Sequence, residues 1–112
     1  MALSIASASP AALAAQVTQT GGFKGPGLEP VSVVQAKELR DDTPVTMRGH
    51  IIRHLGGEMY MFKDESGEMA VEIDAECWRG QQVGPEDLVE IRGEVDRDFT
   101  SLEIDVDQLV KL

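Results

Sequence analysis

Few side chains in this sequence have catalytic potential. The two histidines, His50 and His54, are four residues apart, a spacing that places both on one face of a strand as well as of a helix. Two imidazoles alone lack the third ligand and the supporting hydrogen bonds that a zinc site needs. Ser66 and Ser101 lie in turn-like segments with no base paired to them. We therefore predict no catalytic residue, no metal site, no cofactor and no enzymatic activity.

The single cysteine, Cys77, excludes an intramolecular disulfide and any cysteine-based metal cluster or redox pair. Beside Trp78 it is expected to be a small buried hydrophobic residue. If Cys77 were exposed in an exported protein, it could crosslink two copies of the chain.

Carboxylates are the most abundant chemical groups. The chain has 20 acidic and 10 basic residues and a formal net charge of −10, which argues against the phosphate contacts that dominate nucleic-acid binding. Six carboxylates alternate with apolar residues near the C-terminus: Glu90, Glu94, Asp96, Glu103, Asp105 and Asp107. They indicate a face for cations, cationic peptides or a basic partner, or a solvated face that prevents edge-to-edge aggregation.

The spacing of apolar residues predicts the elements that position these groups. Ser32 and Gln35 form a capping-box pattern before a short helix with Val33, Ala36 and Leu39 on its apolar side. From Val45 onward the period changes to two and predicts strands. The five predicted strands are 45–51, 59–63, 69–73, 89–95 and 102–106, with an irregular stretch at 75–87.

Five strands with one apolar face each predict an all-β fold that closes on itself. Closure leaves no open sheet edge around a single core. Gly49 and Gly93 occupy the same phase in two similar strands, where each would allow a long strand to bend and serve both halves of a small barrel. We predict a five-stranded Greek-key OB-fold barrel with one short N-terminal helix.

The N-terminal residues differ from this domain in composition. Residues 1–20 are rich in Ala and Ser, and Ala12-Leu13-Ala14 fits a signal-peptidase site, although no basic residue precedes Lys24. We expect residues 1–20 to be a partial signal peptide or a disordered tail, residues 21–30 to be a Gly/Pro-rich linker, and residues 31–112 to be the OB-fold domain. The leader predicts export.

The ligand face of an OB fold usually lies across its second and third strands. We expect Tyr60 and Phe62 to point inward, which leaves a mixed outer surface that suits a small polar or saccharide-like ligand. Its predicted residues are Arg48, His50, Met59, Met61, Lys63, Glu72 and Asp74. A register shift of one residue would expose both rings and favour single-stranded nucleic acid instead.

Several motifs together resemble the bacterial OB-fold (BOF) family of periplasmic stress-tolerance proteins of the YgiW/YdeI type. They include Tyr60-Met61-Phe62-Lys63-Asp64-x-Ser66-Gly67, Trp78-x-Gly80, Val89-Glu90-Ile91-x-Gly93-Glu94 and Ser101-x-Glu103-Ile104-Asp105-Val106. The resemblance covers about residues 21–112. It implies an OB fold, a periplasmic location, no enzymatic activity and a role in tolerance to oxidants and cationic antimicrobial peptides.

Three functions follow as hypotheses. The first is an envelope binding module for a small or saccharide-like ligand or a cationic peptide. The second is a protein that binds single-stranded nucleic acid, and the third is an acidic interaction module for a basic protein partner. We expect a monomer or a weak dimer.

Overall fold

A computed structural model describes residues 29–112 of the chain. The predicted leader and residues 21–28 of the predicted linker lie outside the described residues. Seven elements follow in order: α1 (Val33–Ala36), β1 (Pro44–Gly56), β2 (Met59–Asp64), β3 (Gly67–Ile73), α2 (Ala75–Trp78), β4 (Val89–Arg97) and β5 (Leu102–Lys111). All five predicted strands are present.

The helix α1 begins as the sequence predicts. The Ser32 hydroxyl accepts a hydrogen bond from the Gln35 amide at 3.1 Å, and the Gln35 side chain accepts one from the Ser32 amide at 2.8 Å. These two bonds satisfy two of the backbone donors that a helix N-terminus leaves free. Val33 and Ala36 are fully buried, so this single turn packs onto the core.

The five strands close into a barrel in the order β1-β2-β3-β5-β4, with β4 returning to β1. The first half of β1 pairs with β4 and its second half pairs with β2. The parallel pairing of β3 with β5 completes the ring. The predicted closed barrel is confirmed, and its core contains inward-facing residues from every strand, including Met47, Phe62 and Ile104.

Two glycines allow backbones to approach closely within the barrel. A Cβ at Gly49 would lie 2.4 Å from the carbonyl oxygen of Lys63, and one at Gly93 would lie 2.0 Å from that of Asp105. Any side chain at either position would overlap backbone atoms. The close approach of neighbouring backbones at these two positions therefore requires glycine.

The expectation that His50 and His54 share one face is wrong. The pairing of β1 with β2 has a register shift between Ile51 and Arg53, so that Ile52 is an extra residue on β1. His50 pairs with Lys63, which faces outward, whereas His54 pairs with Tyr60, which packs against the core. A β-bulge inverts the alternation beyond it, and the two imidazoles consequently lie on opposite faces.

The irregular stretch before β4 contains a second helix that the sequence analysis did not predict. Asp74 caps α2 by accepting hydrogen bonds from the amides of Glu76 and Cys77. Positive φ angles at Arg79 and Gly80 end it after one turn. Among residues 29–112, neither helix has the length and apolar character needed to cross a membrane.

Candidate ligand cleft and acidic surface

A cleft of about 700 Å³ lies on the outer side of β1. The turn between β2 and β3 forms one wall, and the segment that leads into β4 forms the other. The residues that line it are Ser32, Arg48, Gly49, His50, Ile52, Lys63, Asp64, Glu65, Ser66, Pro85 and Leu88. We call this feature the β1 cleft.

Arg48 is held in the β1 cleft by the register of β1 against β4, which places it opposite Glu90. Its Nε lies 2.9 Å from Glu90 Oε1, and Arg92 Nη2 lies 3.0 Å from Glu90 Oε2. The Glu90 side chain is 11% exposed and that of Arg48 is 55% exposed. Glu90 therefore orients Arg48 by binding its Nε, while the rest of the guanidinium group stays accessible to solvent.

His50 is fixed by the segment before β4. Its Nδ1 lies 2.9 Å from the Asp87 carbonyl oxygen, and because a carbonyl can only accept, Nδ1 carries the hydrogen. The Asp87 carboxylate accepts a hydrogen bond from the Gly84 amide at 2.7 Å, and this bond holds the pKa of Asp87 below its ordinary value. The hydrogen bond from Gly84 to Asp87 thus stabilises the turn whose Asp87 carbonyl orients His50.

Asp64 organises the opposite wall. Its Oδ1 accepts hydrogen bonds from the Ser66 amide, the Ser66 hydroxyl and the Gly67 amide, and its Oδ2 accepts one from the Val33 amide at 2.9 Å. Burial raises the pKa of Asp64, but these bonds, led by that of the Ser66 hydroxyl, bring it below the ordinary value. The neighbouring Lys63 is exposed and has no ion-pair partner among residues 29–112.

The structure brings three of the seven predicted ligand residues, Arg48, His50 and Lys63, together in the β1 cleft. Met59 and Met61 lie outside it on the outer side of β2, opposite Glu72 and Ala70 of β3. The cleft therefore covers the β1 and Lys63 part of the predicted ligand surface, whereas the rest of that surface extends along β2 to β3.

The other two predicted ligand residues lie elsewhere. Glu72 belongs to a group of carboxylates, described below, and Asp74 is the cap of α2. Sequence reasoning did not find Ile52, Pro85 and Leu88 of the cleft. A bulge shows no periodic signal, and walls built from distant loops have no common motif.

Tyr60 and Phe62 point inward, as predicted. Phe62 is fully buried. Tyr60 stacks on His54 with ring centroids 4.7 Å apart and meets the edge of Trp78 at 5.3 Å. The stack with His54 occupies a ring face of Tyr60 that base stacking on a nucleic-acid ligand would need.

Carboxylates crowd the outer side of β3, β5 and β4. The register places Glu72 beside Asp105, Asp105 beside Glu94, and Glu103 beside Asp96. One carboxylate oxygen from each of Glu72, Asp96 and Glu103 lies within 4.8 Å of the others. We define the acidic surface as Glu72, Glu94, Asp96, Glu103 and Asp105.

Crowding affects the titration of this surface. Partial burial is the largest cause that raises the pKa of Glu103, followed by the Glu72 side chain and the charges of Asp96 and Asp105. The pKa of Asp105 is raised by partial burial and by the neighbouring carboxylates, with Glu72 first among them. The acidic surface therefore holds its negative charge at a cost in free energy.

One predicted acidic-face residue, Glu90, lies apart from this surface, and another, Asp107, borders it at Asp105. Glu90 is buried between Arg48 and Arg92. Asp107 is the extra residue of β5 at the register shift between Arg92 and Gly93, and it lines a depression with Asp74, Cys77 and Asp105. The hairpin that joins β4 to β5 does bring the predicted ladders side by side from Glu94 to Asp105.

Cys77 is buried, as the sequence favours. It is 7% exposed, and its Sγ donates to the Val106 carbonyl oxygen at 3.3 Å. Burial and the nearby Asp74 raise the pKa of the thiol to about 11. The side chain thus behaves as a packed, protonated group that ties α2 to β5.

Comparison with known proteins gives one family and several relatives. The family model described as "Bacterial OB fold (BOF) protein" matches residues 8–111. Protein YgiW of Escherichia coli K12 is 50% identical over 107 residues, covering 84% of this chain and 82% of YgiW. The calcium-regulated OB-fold protein CarO of Pseudomonas aeruginosa is 42% identical over 93 residues, covering 81% of this chain and 80% of CarO.

Solved structures agree with the fold. The structure of YgiW from E. coli superposes with a TM-score of 0.75 at 50% identity, covering 83% of this chain and all of that one. The Stn1–Ten1 complex of S. pombe gives a TM-score of 0.64 at 12% identity, covering 80% of this chain and 79% of that one. At that identity the second likeness shows the OB fold alone.

Proposed function

Because this chain belongs to the bacterial OB-fold (BOF) family, we propose that it is a non-enzymatic binding protein of the periplasm that contributes to envelope stress tolerance. Its ligand is a small polar or saccharide-like molecule that binds in the β1 cleft. The family resemblance supports the location and the role, and the composition of residues 1–20 supports export.

The β1 cleft is the observation that carries the binding function. Its volume, about 700 Å³, lies within the range of about 300–1,000 Å³ typical of small-molecule sites. It combines apolar side chains with Arg48 and His50, which contacts with Glu90 and Asp87 orient, and with the exposed Lys63. Such a combination of apolar lining and a few oriented polar groups is what binding pockets present to small ligands.

Two other ligands are alternatives. Single-stranded nucleic acid is disfavoured, because the net charge of −10 opposes phosphate contacts and Tyr60 and Phe62 point inward. A cationic peptide or a basic protein partner is the second candidate, since the acidic surface has five carboxylates and no ion pair to a basic residue within residues 29–112. Because the relative CarO is described as calcium-regulated, Ca²⁺ is also a cation to test.

One NMR experiment ranks these ligands. Muropeptides, a Lys-rich peptide, Ca²⁺ and oligo-dT are titrated separately into ¹⁵N-labelled protein, and the shifted amides are mapped. The proposal predicts that muropeptides shift amides around Arg48, His50 and Ser66. Shifts confined to Glu103 and Asp105 with the peptide or Ca²⁺ would favour the second candidate, and strong oligo-dT shifts would favour nucleic acid.

A pair of matched variants identifies the site. Leu88 lines the β1 cleft and Leu55 lies on the β1–β2 hairpin, and each is 44% exposed. Leu88→Trp fills the cleft and is expected to abolish ligand shifts, whereas Leu55→Trp leaves them intact. Equal binding by both variants would reject the β1 cleft as the site.

Cell fractionation tests the location separately. The proposal predicts that the full-length protein appears in the osmotic-shock fraction of a Gram-negative host and is shorter there than in a whole-cell sample made with an export inhibitor. Retention in the cytoplasm at full length would contradict the periplasmic location.

A further inference from the structure

We propose that the β1 cleft selects an amphipathic anion, a small ligand that carries a carboxylate or phosphate group next to an aliphatic portion. This inference rests on the proposed function, because it names the chemical class of ligand that the same cleft accepts. It follows from how charges and apolar groups are distributed over the barrel.

The outer faces of the strands differ in charge, with Glu68 of β3 the one carboxylate paired opposite Lys63. On β1 and β2 the outward residues opposite one another are basic or apolar: His50 with Lys63, and Arg53 with Met61. The acidic surface lies on β3, β5 and β4. The β1 cleft is therefore on the basic side of a chain whose net charge is −10, so an anion is attracted there and repelled from the opposite side.

The carboxylates of the cleft are mostly engaged by the protein itself. Glu90, beneath Arg48, is shared by two guanidinium groups, which leaves one net positive charge in that trio. Asp64 accepts four hydrogen bonds from α1 and the β2–β3 turn. Glu65 is the remaining carboxylate of the lining and lies exposed on the turn.

The donors, in contrast, are free to receive a ligand. The Lys63 ammonium has no ion-pair partner within residues 29–112, and Arg48 uses only Nε to bind Glu90. Ammonium and guanidinium groups form their strongest hydrogen bonds with carboxylate and phosphate oxygens. Lys63 and Arg48 thus point to an anionic group on the ligand.

The apolar part of the lining points to an aliphatic portion. Ile52 is the extra residue of the β-bulge, a feature that redirects side chains near binding sites. It lines the cleft with Pro85 and with Leu88, which is 44% exposed. An aliphatic portion of the ligand that packs against these side chains would bury apolar surface of both away from water, which favours binding. No Phe, Tyr or Trp is among the described residues of the lining, so a sugar ring has none of these side chains to stack on there.

Four single-chain amphiphiles with the same alkyl group test the inference. Octanoate, octyl phosphate, octyl β-glucoside and octylammonium are titrated below their micelle concentrations into the labelled full-length protein. We expect the two anions to shift the cleft amides with at least about tenfold higher affinity than the glucoside. Octylammonium should not bind in the cleft.

Lys63→Gln is the decisive variant, because Lys63 is exposed and its replacement leaves the core intact. It should lower the affinity for both anions about tenfold and leave the weak glucoside binding unchanged. Lys37→Gln, which replaces an exposed lysine at the C-cap of α1 outside the cleft, is the matched control and should bind like the parent. Sedimentation with phosphatidylglycerol vesicles, repeated with Lys63→Gln, identifies the source of the anion. Co-sedimentation that is lost in Lys63→Gln indicates a lipid headgroup, and no co-sedimentation of the parent indicates a free amphiphile.

The outcomes separate this inference from the proposed function. Equal affinity for glucoside and anions, or anion affinity unchanged in Lys63→Gln, overturns the selection of anions while the β1 cleft remains a binding site. If no amphiphile and no muropeptide shifts the cleft amides, both the inference and the proposed function fall.

Discussion

Arg48 and Glu90 form an ion pair across β1 and β4, with 2.9 Å between Nε and Oε1, although they are 42 residues apart in the chain. Arg92 binds the other oxygen of the same carboxylate. One carboxylate that is 11% exposed thus fixes a cleft side chain and joins two strands that are not neighbours in sequence. The pairing of β1 with β4 and the orientation of Arg48 in the β1 cleft therefore depend on the same ion pair.

Glu90→Gln should destabilise the protein by about 1–2 kcal/mol, because it leaves two guanidinium groups next to each other without their shared anion. Urea unfolding followed by circular dichroism measures the change in free energy. Glu86→Gln, which removes an exposed carboxylate from the loop before β4, is the control and should be neutral. Equal midpoints for the two variants would show that the ion pair contributes nothing.

Gly93→Ala should be more damaging than any surface change, at about 3 kcal/mol or more. Its Cβ would lie 2.0 Å from the Asp105 carbonyl oxygen, a backbone atom that cannot turn away. Gly84→Ala is the matched control, because its Cβ would meet only the Asp87 side chain at 3.7 Å. Thermal unfolding that is alike for both variants would refute the steric role of Gly93.

The acidic surface predicts an unusual dependence of stability on pH. A group whose pKa is raised by folding, as that of Glu103 is, stabilises the fold below its unfolded pKa, and this contribution is lost as the pH rises through the folded value. Glu103→Gln should therefore be more stable than the parent at pH 7, by about 0.5 kcal/mol, and the gain should vanish near pH 4.

Urea titrations of parent and variant from pH 4 to pH 8 measure this difference. Asp64, Asp87 and Asp98 have lowered pKa values and lose their stabilising contribution as the pH falls, but they are the same in both proteins and cancel in the comparison. Glu38→Gln, in the exposed turn after α1, should show no such gain. A Glu103→Gln variant less stable than the parent at pH 7 would contradict the crowding of charge.

The sequence predicts the barrel well because period-two burial is a local signal repeated in every strand. It fails at Ile52, where one inserted residue inverts the phase and separates His50 from His54. It also misses α2, a single turn whose only mark is the capping residue Asp74. The β1 cleft could be predicted only in part, since its lining joins Arg48 to Ser66 and Leu88 through tertiary packing that no spacing encodes.

Gln81 shows how such tertiary packing closes the barrel. Beyond the short β3–β5 pairing, the side-chain amide of Gln81 donates to the Leu109 carbonyl oxygen at 3.0 Å and accepts from the Lys111 amide at 2.9 Å. A single side chain therefore supplies a donor and an acceptor to the outer edge of β5, as a neighbouring strand would.

Gln81→Ala should cost about 1–2 kcal/mol, because it removes both bonds and leaves backbone groups of β5 without partners. Gln82→Ala is the adjacent control, since that side chain is exposed and only its backbone oxygen is bonded, to Lys111 Nζ. Hydrogen exchange gives a local reading: the Lys111 amide should exchange faster in Gln81→Ala and at the parent rate in Gln82→Ala. Unchanged protection of Lys111 in both variants would mean that the edge of β5 is closed by some other contact.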